Sequence, residues 1–83
     1  MKSIPLNDII LKKLKEKERS MAWLARQVDY NKDNLRKILI NNKEIYPNLL
    51  FRIALALEED FFGYYSKELK EELNTRKRTE TDP

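Results

Sequence analysis

The chain contains a single glycine, Gly63, and this scarcity constrains its fold more than any other feature of the sequence. Tight turns between strands favour glycine because their central residues adopt positive φ angles. A chain of 83 residues with one glycine and three prolines is therefore poorly suited to a hairpin-rich sheet. Its hydrophobic content of 41% can supply one domain with one modest core. These features predict a small all-α protein.

The inventory of side chains excludes most kinds of catalytic site. The sequence has no histidine and no cysteine, which rules out a thiol nucleophile, an imidazole base, a disulfide and a Cys/His zinc site. A phosphate-binding loop needs several glycines, and Gly63 stands alone. The acidic residues show no paired spacing around an apolar pocket that would raise a carboxyl pKa. We therefore expect no enzyme activity, no metal and no cofactor.

The apolar segments are too short to cross a bilayer. The longest apolar run, residues 53–57, is far below the roughly 20 residues that a transmembrane helix needs. Residues 1–11 interrupt their apolar part with Asn7 and Asp8, which makes a poor signal peptide. Together with the absence of cysteine, these features lead us to expect a cytoplasmic protein without a membrane partner.

Residues that favour helix starts divide the sequence into short helical segments. Ser20 and Asn31 are preferred N-cap residues, Pro47 suits a first helical turn, and Asp60 is a further cap. Apolar residues between these positions recur at steps of three and four, as on one face of a helix. The first four predicted helices cover residues 4–17, 21–27, 32–40 and 47–58.

A fifth helix is predicted from Asp60 to about Leu73, and Gly63 leaves a break near Ser66 open. Residues 74–83 carry no apolar anchor, so we expect a disordered polar tail there. The predicted organisation is a helix-turn-helix domain over residues 1–66, with the helix-turn-helix at about 20–40. A helical extension over residues 67–74 and a tail over residues 75–83 follow it.

Charge is distributed unevenly along the chain. The net charge is +3 and the pI is about 9.2. Residues 1–57 carry 12 basic and 6 acidic side chains, a net charge of +6, whereas residues 58–83 carry 5 and 8, a net charge of −3. A basic body is typical of a protein that binds a polyanion, although charge alone fits an ordinary solvated surface equally well.

The segment from Ser20 to Ile40 reads as a short helix, a tight turn and a second helix with a polar outer face. This arrangement places the second helix in the major groove of duplex DNA while the first helix crosses the phosphate backbone. Lysine and arginine suit guanine, asparagine suits adenine, and aspartate accepts a hydrogen bond from cytosine. The candidate base-contacting residues are Lys32, Asp33, Asn34, Arg36 and Lys37.

From about Leu11 to Tyr65 the sequence resembles the XRE family of phage repressors, Cro-type proteins and related bacterial regulators. The matching segments are residues 20–25, the turn that ends at Asn31, Leu35 with Ile38, and residues 50–57, followed by Asp60-Phe61-Phe62. The resemblance implies a five-helix, lambda-repressor-like domain that binds specific DNA sequences as a homodimer and regulates transcription. Carried over by position, it implies phosphate contacts at Ser20, Met21, Asn31, Asn42 and Lys43.

Three residues depart from the pattern of this family. Met21 replaces a frequent glutamine, Asp29 stands at the usual turn glycine, and Asn41 stands at the glycine that usually follows the third helix. Aspartate tolerates left-handed geometry better than most residues, and asparagine is a fair substitute for glycine at a helix end.

The sequence leaves some alternatives open. Asp33 either reads a cytosine or buttresses Arg36 or Lys37, and we favour the second role. Trp23 packs within the monomer or in a subunit contact, and we favour the first because an indole buries a large apolar area. The competing function is a protein-interaction module. One form is an antitoxin that binds DNA and also neutralises a toxin, and the other is a family member that binds only protein, through Trp23 and the C-terminal aromatic residues.

Overall fold

The computed structural model describes residues 4–79, and the side chains up to residue 76. Its helices are α1 (Leu6–Glu16), α2 (Met21–Gln27), α3 (Lys32–Ile40), α4 (Pro47–Leu57) and α5 (Phe62–Thr79). No strand occurs in this part of the chain. The predicted all-helical, five-helix architecture is confirmed, and the bounds of α2 and α3 coincide with those expected from the sequence.

Side-chain caps determine where the middle helices begin. The Ser20 hydroxyl accepts a hydrogen bond from the Trp23 amide at 3.0 Å, and the Asn31 side chain accepts one from the Asn34 amide at 2.9 Å. Each cap satisfies an amide that has no partner within its helix. α4 instead starts with Pro47 at its first turn, where the missing N–H costs nothing.

Four helices end in the same hydrogen-bonded turn, and none of these turns uses glycine. After each helix, one residue adopts a left-handed conformation and the next amide donates back to a carbonyl five residues earlier, as in a Schellman motif. The amide-to-carbonyl pairs are Arg19 to Leu14, Tyr30 to Ala25, Lys43 to Ile38 and Glu59 to Ala54. The left-handed residues are Glu18, Asp29, Asn42 and Glu58, with φ between 52° and 54°. Because none of these four residues is glycine, each turn carries some backbone strain.

The core lies among α1–α4 and is completed by Phe61 in the turn before α5. The main packing pairs are α1 with α3, α2 with α3, and α2 with α4. Phe61 is fully buried and its ring stacks on Tyr64, with ring centroids 6.5 Å apart. The buried apolar side chains are Leu6, Ile10, Leu14, Leu24, Ala25, Val28, Leu35, Leu39, Leu49, Leu50, Ile53, Leu57 and Phe61.

A surface ion pair connects α1 with the turn before α5. The Lys13 ammonium lies 3.7 Å from a Glu59 carboxylate oxygen and 3.5 Å from one of Glu16. The carboxylate of Glu59, and to a smaller extent that of Glu16, raises the pKa of Lys13 above its ordinary value. An exposed pair of this kind contributes little to stability, but it lies where α5 leaves the body of the protein.

The fifth helix is longer than the sequence predicted. It continues without a break through Ser66 and past Leu73 to Thr79, so the expected tail is helical over residues 75–79, and residues 80–83 lie outside the described part of the chain. Oppositely charged residues four apart, such as Glu72 and Arg76, stabilise an exposed helix without apolar anchors. The protein measures 55 × 21 × 19 Å because α5 extends from the body.

The start of α5 explains the position of the only glycine. The Asp60 carboxylate accepts a hydrogen bond from the Gly63 amide at 3.0 Å, which confirms Asp60 as a cap. A Cβ atom at position 63 would lie 3.0 Å from the other oxygen of the same carboxylate. Gly63 therefore fits because the cap approaches the backbone closely.

None of the helices within residues 4–79 combines the length and the apolar character that crossing a membrane would require.

We predict that Glu18→Gly stabilises the protein although glycine usually weakens helices. The left-handed conformation costs a non-glycine residue about 1–2 kcal/mol, and the greater freedom of glycine in the unfolded chain offsets about 0.5–1 kcal/mol of that gain. The expected rise in the free energy of unfolding is about 0.5–1 kcal/mol in urea denaturation. Lys15→Gly, an exposed position inside the preceding helix α1, is the matched control and should lower stability by about 1 kcal/mol. Destabilisation by both variants would contradict the strain at Glu18.

Candidate nucleic-acid interface

The outer face of α3 carries all five side chains that the sequence assigned to base contacts. Leu35 and Leu39 point into the core and are almost completely buried. Because the period of the helix is 3.6 residues, Asp33, Arg36 and Lys37 lie on the side opposite these leucines, whereas Ile38 packs against the core. The side chains that the structure exposes on α3 include Lys32, Asp33, Asn34, Arg36 and Lys37.

These side chains form two groups along α3. Asp33, Arg36 and Lys37 line one shallow depression of about 400 Å³ on the outer face of the helix. Lys32 lies at the opposite, N-terminal end and lines a separate cleft between α2 and α3 together with Arg26. Asn34 is exposed, and its backbone amide donates a hydrogen bond to the side-chain oxygen of Asn31. The structure therefore brings three of the five predicted residues into one depression.

The predicted phosphate-contacting residues lie on both sides of α3. Ser20 and Asn31 cap α2 and α3 with side-chain oxygens and remain exposed. Met21, by contrast, is half-buried and packs against the core, so it offers its backbone amide rather than its side chain. Asn42 and Lys43 follow α3 and are exposed.

The turn after α3 differs from the expectation in one residue. Asn41 was expected to replace the family's glycine, but its φ of −86° is an ordinary value. Asn42 is the residue with left-handed geometry, at a φ of 54°. The reason is that Asn41 is the C-cap of α3 and its amide still donates to the Lys37 carbonyl at 3.0 Å, so the reversal falls one residue later.

Asp33 does not buttress its neighbours as the sequence suggested. In the described part of the chain no ion pair joins its carboxylate to Arg36 or Lys37. The side chains of all three are exposed, so each is solvated separately. The carboxylate of Asp33 is consequently available to a partner outside the monomer.

A buried asparagine anchors the C-terminal end of α3 and the loop behind it. The Asn7 side-chain amide donates to the Ile38 carbonyl at 2.9 Å and to the Lys43 carbonyl at 2.8 Å. Asn7 is almost completely buried. Both of its N–H donors are used, and both carbonyls belong to the turn that carries Asn42. No sequence pattern indicates this role, because Asn7 stands out in the sequence only as a polar interruption near the N-terminus.

Two further contacts position the N-terminal part of the interface. The Arg52 guanidinium donates to the Val28 carbonyl at 3.2 Å, which ties α4 to the turn between α2 and α3. The Arg19 guanidinium lies 4.8 Å from the centre of the Trp23 ring, a cation–π contact beside the start of α2. Trp23 is half-buried and packs within the monomer, as expected.

Sequence reasoning missed three exposed residues around α3. Ile40 is 54% exposed and lines the same depression as Arg36 and Lys37, which lie four and three residues earlier. Its seven-residue spacing from Asp33 was the available signal. Arg26 lines the cleft beside Lys32. Tyr46 is exposed in a cleft of about 630 Å³ behind the loop after α3, and no sequence pattern indicated it.

The surface built from residues 19–43 is basic. This segment contains six lysine and arginine residues and two aspartates, a net charge of +4. Among the described residues, no group of three or more acidic side chains is placed to hold a metal ion. The arrangement is thus a cationic surface with two shallow depressions.

Comparison of the chain with protein-family models, curated proteins and solved structures found no match.

We predict that Asn7→Asp destabilises the protein and loosens the end of α3. The substitution keeps the size of the side chain but replaces its N–H donors with oxygens that face the Ile38 and Lys43 carbonyls. Leaving buried polar groups unpaired costs about 1–3 kcal/mol, so the midpoint of urea denaturation should fall accordingly. Asp8→Asn, a polar substitution at the exposed neighbour, should change stability by less than about 0.5 kcal/mol. Equal stability of both variants would contradict the anchoring role of Asn7.

Proposed function

We propose that the protein binds duplex DNA sequence-selectively by inserting α3 into the major groove. The observation that carries this proposal is the division of α3 into a buried apolar side and an outer side with three cations and two further polar side chains. The resemblance to the XRE family supports the same function. A helix fits the major groove, which is about 12 Å wide and 8.5 Å deep.

Each side chain of the outer face suits a particular base edge. Arg36 and Lys37 donate to the acceptors of guanine, and Asn34 offers the paired donor and acceptor that adenine requires. Asp33, which has no ion-pair partner on α3, accepts a hydrogen bond from a cytosine amino group. Ile40 supplies the apolar contact that a thymine methyl group favours.

The phosphate backbone is held from both ends of α3. The amides at the start of α2, beside Ser20, point toward a phosphate as helix N-termini do, and Arg19 adds a cation there. Lys43, in the turn anchored by Asn7, neutralises a second phosphate. Contacts on both sides set the position of α3 within the groove.

The biological role that follows is transcription regulation by a homodimer in the cytoplasm. Two copies related by a two-fold axis read half-sites about 34–36 Å apart, which is one turn of B-form DNA. Occupation of such an operator excludes or recruits RNA polymerase, as in the repressor-like proteins that the sequence resembles.

A second candidate function is a protein-interaction module of the antitoxin kind. The observation in its favour is an exposed apolar pair on the outer side of α4, Phe51 and Leu55. Trp23, which the sequence suggested for this role, packs within the monomer instead. Stoichiometric copurification of a small partner that Leu55→Glu releases would support this candidate.

We predict that binding to duplex DNA weakens steeply with salt. Each phosphate neutralised contributes a slope of about −0.9 in log K against log salt concentration. Fluorescence anisotropy with a labelled mixed-sequence duplex between 50 and 200 mM salt measures this slope. Flat salt dependence, or no binding at the lowest salt, would contradict the proposed function.

We further predict that α3 side chains decide sequence preference. Duplexes selected from a random pool provide a preferred site, and Lys37→Ala should weaken binding to that site by about 1–3 kcal/mol if Lys37 reads a base. Lys12→Ala is the matched control because it removes an equally exposed cation from α1, and its affinity should stay close to that of the unmodified protein. Unchanged affinity and unchanged sequence preference in both Lys37→Ala and Arg36→Ala would show that the outer face of α3 does not read the bases.

A further inference from the structure

A cleft of about 630 Å³ lies behind the loop that follows α3. Three parts of the fold line it: Tyr30 comes from the turn before α3, Ile38 from α3 itself, and Tyr46 and Arg52 from the start and the middle of α4. We name this space the tyrosine cleft. Its volume falls within the range of about 300–1,000 Å³ that is typical of sites for small molecules.

The walls of the tyrosine cleft suit an aromatic ring. Tyr30 and Tyr46 are 38% and 75% exposed, and in the described part of the chain neither ring stacks on another aromatic ring. Ile38 and Leu49 add aliphatic surface that is continuous with the core. Aromatic rings attract one another through offset or edge-to-face contacts. The cleft therefore favours a ligand with a flat apolar body.

The Arg52 guanidinium gives the tyrosine cleft a positive charge that the monomer leaves unpaired. One of its N–H groups donates to the Val28 carbonyl at 3.2 Å, and within residues 4–76 no ion pair joins it to a carboxylate. The planar guanidinium has several N–H donors, so those that the Val28 bond leaves can hold a carboxylate. Lys43 and Arg52 line the cleft with Glu44 as their acidic counterpart, a net charge of +1. This balance favours an anionic ligand.

We propose that the tyrosine cleft binds a small aromatic carboxylate, whose ring packs on the tyrosines and whose carboxylate pairs with Arg52. The bound molecule acts as an effector that weakens DNA binding, a role that rests on the proposed function. Lys43 lines the same cleft and is the residue proposed to neutralise a phosphate. A carboxylate in the cleft attracts Lys43 and repels a phosphate that approaches it.

The tyrosine cleft is also connected to the start of α3. Arg52 holds the carbonyl of Val28, the C-cap of α2, and so ties α4 to the connection between α2 and α3. A ligand carboxylate that engages the guanidinium competes with this hydrogen bond. Weakening the bond loosens the connection that positions α3, so both effects of the ligand lower the affinity for DNA.

Chemical shifts of ¹⁵N-labelled protein without DNA test the site, with 2-naphthoate as the probe. The amides of Tyr30, Glu44 and Tyr46 should shift in a saturable way. The matched probes are 2-naphthamide, which has the same ring without the charge, and inorganic phosphate, which has charge without the ring. Each should bind at least about tenfold more weakly than 2-naphthoate, because it lacks one of the two contacts.

Two variants separate the two contacts. Arg52→Gln removes the charge and Tyr46→Ala removes an aromatic wall, and each should weaken the binding of 2-naphthoate at least about tenfold. Arg52 also holds Val28, whereas the Tyr46 side chain makes no capping hydrogen bond, so Tyr46→Ala tests the site without removing a contact of the fold. Lys12→Gln, at an exposed cation of α1, is the matched control and should bind 2-naphthoate normally. Circular dichroism confirms that all three variants are folded.

Fluorescence anisotropy with a labelled mixed-sequence duplex tests the effector role. Saturating 2-naphthoate should weaken DNA binding about fivefold or more, as expected of a coupling between two sites. Sodium chloride replaces the probe in the reference sample, so that both samples have the same ionic strength. In Tyr46→Ala the same concentration of probe should leave the affinity for DNA close to its value in the reference sample.

The proposed site would be overturned by the absence of saturable shifts at the cleft, by equal binding of either matched probe, or by normal binding in both Arg52→Gln and Tyr46→Ala. Saturable binding that leaves the affinity for DNA unchanged or raises it would overturn the effector role. Because the site is measured without DNA, the two proposals fail separately. A protein that binds the probe but not DNA contradicts the proposed function alone, and one that binds DNA but not the probe contradicts the tyrosine cleft alone.

Discussion

The burial of Leu35 and Leu39 decides what α3 can present to a partner. Both side chains are almost completely buried in the core, and α3 packs against α1 and α2. Because the helix has a fixed period, burying this side turns the side with Asp33, Arg36 and Lys37 toward solvent. The cationic face thus follows from apolar packing, and every functional proposal depends on that packing.

The rest of the fold holds α3 at a defined angle with short connections. α2 and α3 are separated by four residues, and the Schellman turn at Asp29 and the Asn31 cap leave that connection little freedom. At the other end, Asn7 binds two carbonyls of the turn after α3. The proposed contact with DNA gains from this rigidity because contacts to bases require positions fixed within about 0.5 Å.

Much of this arrangement could be predicted from the sequence, because local chemistry determines it. Ser20 and Asn31 are preferred cap residues, so they predict the starts of α2 and α3. The spacing of Leu35 and Leu39 predicts which side of α3 is buried. Two features could not be predicted: the role of Asn7, which depends on contacts between distant residues, and the length of α5, which depends on interactions between exposed charged side chains. The double hydrogen bond of Asn7 joins residues more than 30 positions apart. The full length of α5 was not predicted, because residues 74–79 contain no apolar side chain, and such a composition is also typical of a disordered tail.

α3 exposes charge and buries its apolar side within the monomer, whereas α5 exposes an apolar row that the monomer leaves uncovered. The central claim concerns α3, and chemical shifts of ¹⁵N-labelled protein during titration with a mixed-sequence duplex at low salt test it most directly. The account predicts that the largest amide shifts fall within residues 20–22, 31–37 and 42–43, and it would be contradicted if these amides stayed unchanged while those of α4 or α5 moved.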